Sequence, residues 1–192
     1  ITLFLLAFVA CVLAQGQDCR NLPPLRINPK ECCKQPKLID DSIFARCFEN
    51  FGSRNFPRPP SRDTRGGFRG GPPGFPSTCV AQCVFNSTNL SVNDPTSAET
   101  FITVTLQQSP EWIPVFLEGF NFCGKAAIAK LQENNLDDLA GRFDGCSPLP
   151  GIILACLHSQ VFTNCPQNVW NNAPGCDQLK GFFTACPLPP MF

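Results

Sequence analysis

The sequence predicts an all-α fold whose helices are tied together by disulfides. Apolar residues recur at helical spacing in segment after segment. No alternating run or Asn-Gly hairpin signal marks a strand. Thirteen cysteines in 192 residues supply far more potential staples than an ordinary globular chain carries.

Composition narrows the function classes. The length suits a single domain, and 43% hydrophobic residues are enough to build a core. A net charge of 0 gives no general attraction to nucleic acid or to acidic surfaces. With one histidine, a multi-histidine metal centre is excluded, and no metal or cofactor is expected. No nucleophile–base set surrounds that histidine, His158, so no enzyme is expected.

Residues Ile1 to Ala14 are uncharged and almost wholly apolar. They fall short of the roughly 20 apolar residues that span a bilayer. They have the length of a signal-peptide core, with Val12-Leu13-Ala14 as a small-residue cleavage site. The initiating Met and basic flank are missing, so residues 1–14 read as a front-truncated signal peptide and 15–192 as one secreted domain, without membrane insertion. Cleavage removes Cys11 and leaves twelve cysteines, an even number fit for six disulfides. Sequons at Asn86 (Asn-Ser-Thr) and Asn89 (Asn-Leu-Ser) suit a secretory route and are glycosylation candidates.

From the N-terminus, residues 15–38 form a Pro- and Cys-rich arm with Cys19, Cys32 and Cys33. Neighbouring cysteines have diverging Cβ vectors, so Cys32 and Cys33 should reach different partners. A helix follows, capped by Asp40 or Asp41, with Ile43, Phe44, Cys47, Phe48 and Phe51 on one stripe and Gly52 at its end. Residues 53–77 hold six Pro, five Gly and five Arg against one Asp, which predicts a flexible solvated loop of charge +4. Its Arg-Gly-Gly steps at Arg65 and Arg69 look like RNA-binding segments, but an extracellular chain gives them no such partner.

Cys79 and Cys83 are four apart and share a helix face. A helix over residues 97–108 is expected despite the β-formers Thr103, Val104 and Thr105. The strongest stripe is Ile113, Phe116, Leu117, Phe120, Cys123, Ala127 and Leu131. Ser109-Pro110 is a good start for it, but Pro114 would then kink its first turns. Two more helices are expected, over residues 150–162 with Ile153, Cys156, Leu157 and Gln160 on one side, and over 176–186 with Leu179, Phe182 and Phe183. His158 lies far around its helix from Cys156 and should face solvent. Asp137-Asp138 should cap or solvate a turn, and the tail from Pro187 to Phe192 should fray.

The cysteine series carries a more specific signal. Three residues separate Cys79 from Cys83, then 39 lead to Cys123, 22 to Cys146, nine to Cys156 and eight to Cys165. Pro166 follows directly, nine residues lead on to Cys176, and nine more to Cys186. This series resembles the Plus-C group of insect odorant-binding proteins, mosquito-like in pattern. That group keeps a six-cysteine framework, adds cysteines on either side, and has a proline after the sixth framework cysteine. The resemblance covers nearly all of residues 15–192. The loop at 53–77 departs from it.

The resemblance implies a compact helical shell around an apolar cavity, with about six core helices and extra elements at both ends. It places the framework on Cys47, Cys79, Cys83, Cys123, Cys156 and Cys165. The family's interlocked pairing then implies Cys47–Cys83, Cys79–Cys156 and Cys123–Cys165. Cys19, Cys32, Cys33, Cys146, Cys176 and Cys186 are left to pair in an undetermined order, strapping the arm and last helix to the core.

The implied function is a secreted carrier that reversibly binds small apolar volatiles, odorants or pheromones, and ferries them through sensillar lymph toward olfactory receptors. Odorant receptors, other odorant-binding proteins and a second copy of the chain are the further partners this allows. Candidate pocket residues are Phe44, Phe48, Ile102, Leu106, Trp112, Phe116, Phe120, Leu131, Ile153, Leu157 and Phe183. Residues of this kind are more often plain core than ligand contacts. Trp112 adds an indole N–H that an odorant oxygen can meet. The alternative function is a cystine-rich interaction or defence protein acting through its surface or basic loop.

Overall fold

A computed structural model describes Cys19 and residues 27–51, 78–133 and 145–187. The segments expected as signal peptide (1–14) and basic loop (53–77), the Asp137-Asp138 pair and the tail beyond Pro187 lie outside the described residues. Within them the chain is helical: α1 (Pro29–Cys32), α2 (Asp41–Phe51), α3 (Thr78–Thr88), α4 (Pro95–Thr105), a 3-10 turn (Pro110–Trp112), α5 (Ile113–Glu133), α6 (Leu149–Thr163) and α7 (Pro174–Ala185). The one extended pairing among the described residues is an isolated antiparallel bridge between Cys33 and Trp170.

Local chemistry explains where the helices begin. Asp40 starts α2, its Oδ1 accepting from the Ser42 N–H at 2.8 Å. The carboxyl is held below the usual carboxylate range by that same hydrogen-bonded residue. Asp94 caps α4 by accepting from the Thr96 N–H at 3.1 Å, and Pro95 fills the first helical position. Pro114 does not kink α5. The 3-10 turn absorbs residues 110–112, so Pro114 falls in the first turn of α5, where a missing N–H breaks no helical bond. Asn89 ends α3 in the left-handed region at φ 53°, and the Leu90 N–H closes the turn on the Phe85 carbonyl at 3.0 Å.

Helix α6 is the centre of the molecule. It packs against α5 most extensively, and against α3 and α7 on its other sides. Its buried residues are therefore Pro150, Ile152, Ile153, Ala155, Cys156, Leu157, Ser159, Val161 and Phe162, which leave no polar stripe. Gly119 lets α5 approach it, because a Cβ there would stand 3.0 Å from Leu157 Cδ1 and 3.3 Å from Gln160 Cβ.

Six disulfides hold this arrangement: Cys19–Cys186, Cys32–Cys176, Cys33–Cys165, Cys47–Cys83, Cys79–Cys146 and Cys123–Cys156. Two expected bonds are corrected. Cys79 is bonded to Cys146 rather than Cys156, and Cys123 to Cys156 rather than Cys165. The reason is the position of α6. Cys156 is buried in its middle, facing Cys123 on α5 with the Cα atoms 5.7 Å apart. Cys146 precedes α6 and lies beside the start of α3, 5.1 Å from Cys79. Disulfides require Cα separations of roughly 4.4–6.8 Å, so one cysteine cannot serve both places. Cys165 follows the end of α6 and joins Cys33 in the arm. The interlocked order of first to third, second to fifth and fourth to sixth holds when Cys146 and Cys156 count as the fifth and sixth framework cysteines.

The other three bonds form a nested ladder between the arm and the C-terminal region. Cys32 and Cys33 do reach different partners. Main-chain bonding reinforces them, with the Asn171 N–H donating to the Cys32 carbonyl at 2.8 Å and its side-chain amide to the Glu31 carbonyl at 3.2 Å.

Candidate functional site

The interior between α4, α5 and α6 gathers most of the residues singled out in the sequence. Ile102 and Ile153 are fully buried, and Leu106, Trp112, Phe116, Phe120 and Leu157 nearly so. All seven belong to one hydrophobic cluster. Phe44, Leu131 and Phe183 are half-buried and pack against it. Phe48 does not join them. It is 45% exposed, because the side of α2 that meets α3 is the one carrying Cys47, and Phe48 is turned away from it.

Aromatic contacts organise two zones. On the α5 side Trp112 and Phe116 lie with ring centroids 6.2 Å apart, and Phe120 stacks on Phe85 at 6.2 Å. On the α7 side Phe162 is edge-on to Trp170 at 5.4 Å and to Phe183 at 5.3 Å. Lys180 holds its Nζ 4.8 Å from the Trp170 ring, closing this zone with a cation–π contact.

Sequence reasoning overlooked Phe85, Phe162 and Trp170. Phe162 was hidden because α6 is apolar nearly all round and a single stripe misrepresents it. Trp170 sits in an irregular segment that no periodicity marks. The available signal was the size of these side chains in a chain with only two Trp.

The interior is chemically plain. Among the described residues the buried polar ones are Thr88 and Ser159. The Thr88 hydroxyl donates to the Val84 carbonyl at 2.8 Å and the Ser159 hydroxyl to the Ala155 carbonyl at 3.3 Å. His158 lies on the outer side of α6 as expected, exposed but with its ring edge-on to Phe183 at 6.5 Å. Partial burial of the ring, then the charge of Lys30, hold its pKa below the ordinary histidine value. Among the described residues no group of three or more His, Cys, Asp or Glu is placed to hold a metal, and no helix is long and apolar enough to cross a membrane.

Two open clefts lie on the surface, away from this interior. One, of about 400 Å³, is lined by residues of α2, α3 and the Gly145–Cys146 turn, including Phe51, Gln82 and Asn86. The other, of about 470 Å³, runs along α4 and includes Asn89, Thr100, Phe101 and Val104. None of the eleven candidate pocket residues lines either cleft.

Comparison with known proteins bears on the reading of this interior. A family model described as AgamOBP47-like matches residues 36–182. Odorant-binding protein 47 of Anopheles gambiae is 30% identical over 181 residues, covering 90% of this chain and 75% of its own length. General odorant-binding protein 67 of Anopheles gambiae is 23% identical over 188 residues, covering 93% of this chain and 84% of its own.

Proposed function

The chain belongs to the insect odorant-binding protein family, and on that premise we propose that it is a secreted, non-enzymatic carrier of small apolar ligands. The ligand enters the interior bounded by Ile102, Leu106, Trp112, Phe116, Phe120, Ile153 and Leu157 and leaves it unchanged. The observation that carries this reading is the character of that interior. It is a continuous apolar cluster, the two buried hydroxyls among the described residues are bonded within their own helices, and α5 is tied to α6 by the Cys123–Cys156 bond. The clamp between α5 and α6 lets that pair persist while α4, which carries no disulfide, and the side chains beneath it move aside for a guest. Six disulfides also require an oxidising compartment, which supports export.

The energetics suit reversible transport. Burying roughly 300 Å² of ligand surface at ~25 cal/mol/Å² gives about 7 kcal/mol before the ligand's lost freedom is subtracted. A dissociation constant of about 1 μM corresponds to about 8 kcal/mol, so apolar burial alone gives binding weaker than that. A carrier that must release its cargo needs no more. Phe44, Leu131 and Phe183, half-buried around the cluster, are the side chains that would first meet an entering ligand, while the exposed Phe48 is left out of the site.

The reading is tested by loading the refolded, fully oxidised chain with a fluorescent apolar probe and adding a panel of volatile alcohols, esters and hydrocarbons. Stoichiometric displacement is expected, and Ile153→Phe, which fills the interior, should abolish probe binding while the fold persists. A folded chain that neither takes up the probe nor responds to any volatile would refute the carrier.

A further inference from the structure

Two consecutive sequons, at residues 86–88 and 89–91, lie at the end of helix α3, and the fold separates them sharply. Asn86 lies in the last turn of α3, followed by Ser87 and Thr88. Ser87 Oγ contacts Cys47 Sγ at 3.9 Å, and the Thr88 hydroxyl is buried, donating to the Val84 and Phe85 carbonyls at 2.8 and 3.2 Å. This sequon is therefore built into the helix that the Cys47–Cys83 and Cys79–Cys146 bonds anchor. Its asparagine also opens on the cleft lined by Phe51, Cys79, Cys83, Gly145 and Cys146. A glycan attached there before oxidation would stand in the ground across which α2 and the Gly145–Cys146 turn must close.

Both asparagines are exposed, and Asn89 differs in its backbone position and in the surroundings of its sequon. It lies beyond the helix end in the left-handed region, where asparagine is tolerated, and its residue is exposed. The turn is closed by the main-chain bond from Leu90 to Phe85, so the Asn89 amide is not what holds it. Its third residue, Ser91, sits in the connection to α4, half-buried, and uses its hydroxyl only to accept from the Asn93 N–H at 3.3 Å. Asn89 opens along α4 onto Thr96, Thr100, Phe101 and Val104, and Val104 is 63% exposed. That surface pairs hydroxyls with an uncovered apolar patch, the combination a sugar ring meets with its hydroxyl edge and its C–H face.

We infer that Asn89 is an N-glycosylation site, that Asn86 is not used, and that the first sugars lie over the α4 cleft and cover Val104. In the transfer, the Asn89 amide nitrogen displaces a polyprenyl diphosphate from C1 of the donor oligosaccharide. A C–N bond forms, the C–O bond to the diphosphate breaks, and the amide gives up one proton. The inference rests on the secretory reading above, and its test does not. The chain is expressed in insect cells behind a heterologous secretory leader, which supplies entry to the lumen whatever its native route. Chain in the medium and membrane-enclosed chain retained in the cells are both digested with peptide N-glycosidase in heavy-oxygen water, which tags each formerly glycosylated asparagine as labelled Asp. The tag is expected at position 89 and not at 86, and Ser91→Ala should remove it. A tag at Asn86, or none at either position, overturns the inference. Loss of export once the native leader region is restored would count against the secretory reading alone.

Discussion

Gly119 of α5 and Leu157 of α6 meet so closely that a Cβ on the glycine would lie 3.0 Å from Leu157 Cδ1. The two longest helices thus cross where one of them has no side chain, within one turn of the Cys123–Cys156 bond. This crossing sets the spacing of the interior in which the ligand is proposed to bind.

Filling the crossing should therefore be costly. Gly119→Leu is expected to destabilise the oxidised chain by about 1–3 kcal/mol through overpacking, with no gain in helix propensity large enough to offset it. Urea unfolding followed by circular dichroism measures this. An unchanged midpoint would mean that the helices can part freely at Gly119.

Cavity formation should have the opposite effect on binding. Phe120→Ala removes a nearly buried ring stacked on Phe85 and should cost about 3–5 kcal/mol of stability. The space it leaves should admit bulkier ligands than the wild type binds. Calorimetric titration with a graded series of branched hydrocarbons shows whether the size limit rises.

Disulfide pairing has a direct chemical signature. In a chain that starts at Gln15 and so lacks Cys11, replacing Cys79 and Cys146 together by Ser should leave five bonds and no free thiol. Replacing Cys79 and Cys156 should instead strand Cys146 and Cys123. Thiol titration of the unfolded, unreduced proteins distinguishes the two variants. The first should also lose about 4 kcal/mol, the chain-entropy value for a closed loop spanning 67 residues.

These bonds show how far the sequence could be read. The helical class, the amphipathic stripe of α5 and the clustering of Ile102, Phe116, Phe120 and Ile153 were legible because periodicity reports one-sided burial. Helix α6 defeated that logic, since burial on nearly all sides erases the stripe and conceals Phe162. The framework cysteines were misassigned for a related reason. Intervals of nine and eight residues bracket α6 almost equally, and only its packing against α5 decides that Cys156 faces Cys123. Phe48 and Phe51 illustrate the reverse case. They fit a helical stripe, yet α2 is covered mainly where Cys47 meets α3, and both remain over 40% exposed.

Acid should weaken the fold through His158. Its folded pKa lies below 6.5, so the unfolded chain binds more protons as pH falls. Stability is therefore retained above about 6.5 and declines between that value and the lower folded pKa. The Asp40 cap is lost only further down, as pH falls through the carboxylate range. His158→Gln should flatten the decline that begins near neutrality and leave the more acidic one, as followed by thermal unfolding at a series of pH values.

The most direct measurement is of where a ligand sits. A protonated hydrocarbon is added to deuterated chain bearing protonated Ile and Leu methyl groups, and ligand-to-methyl nuclear Overhauser effects are recorded. The carrier reading predicts effects at Ile102, Leu106, Ile153 and Leu157. Saturating ligand with effects at none of these methyls, or no bound ligand at all, would contradict it.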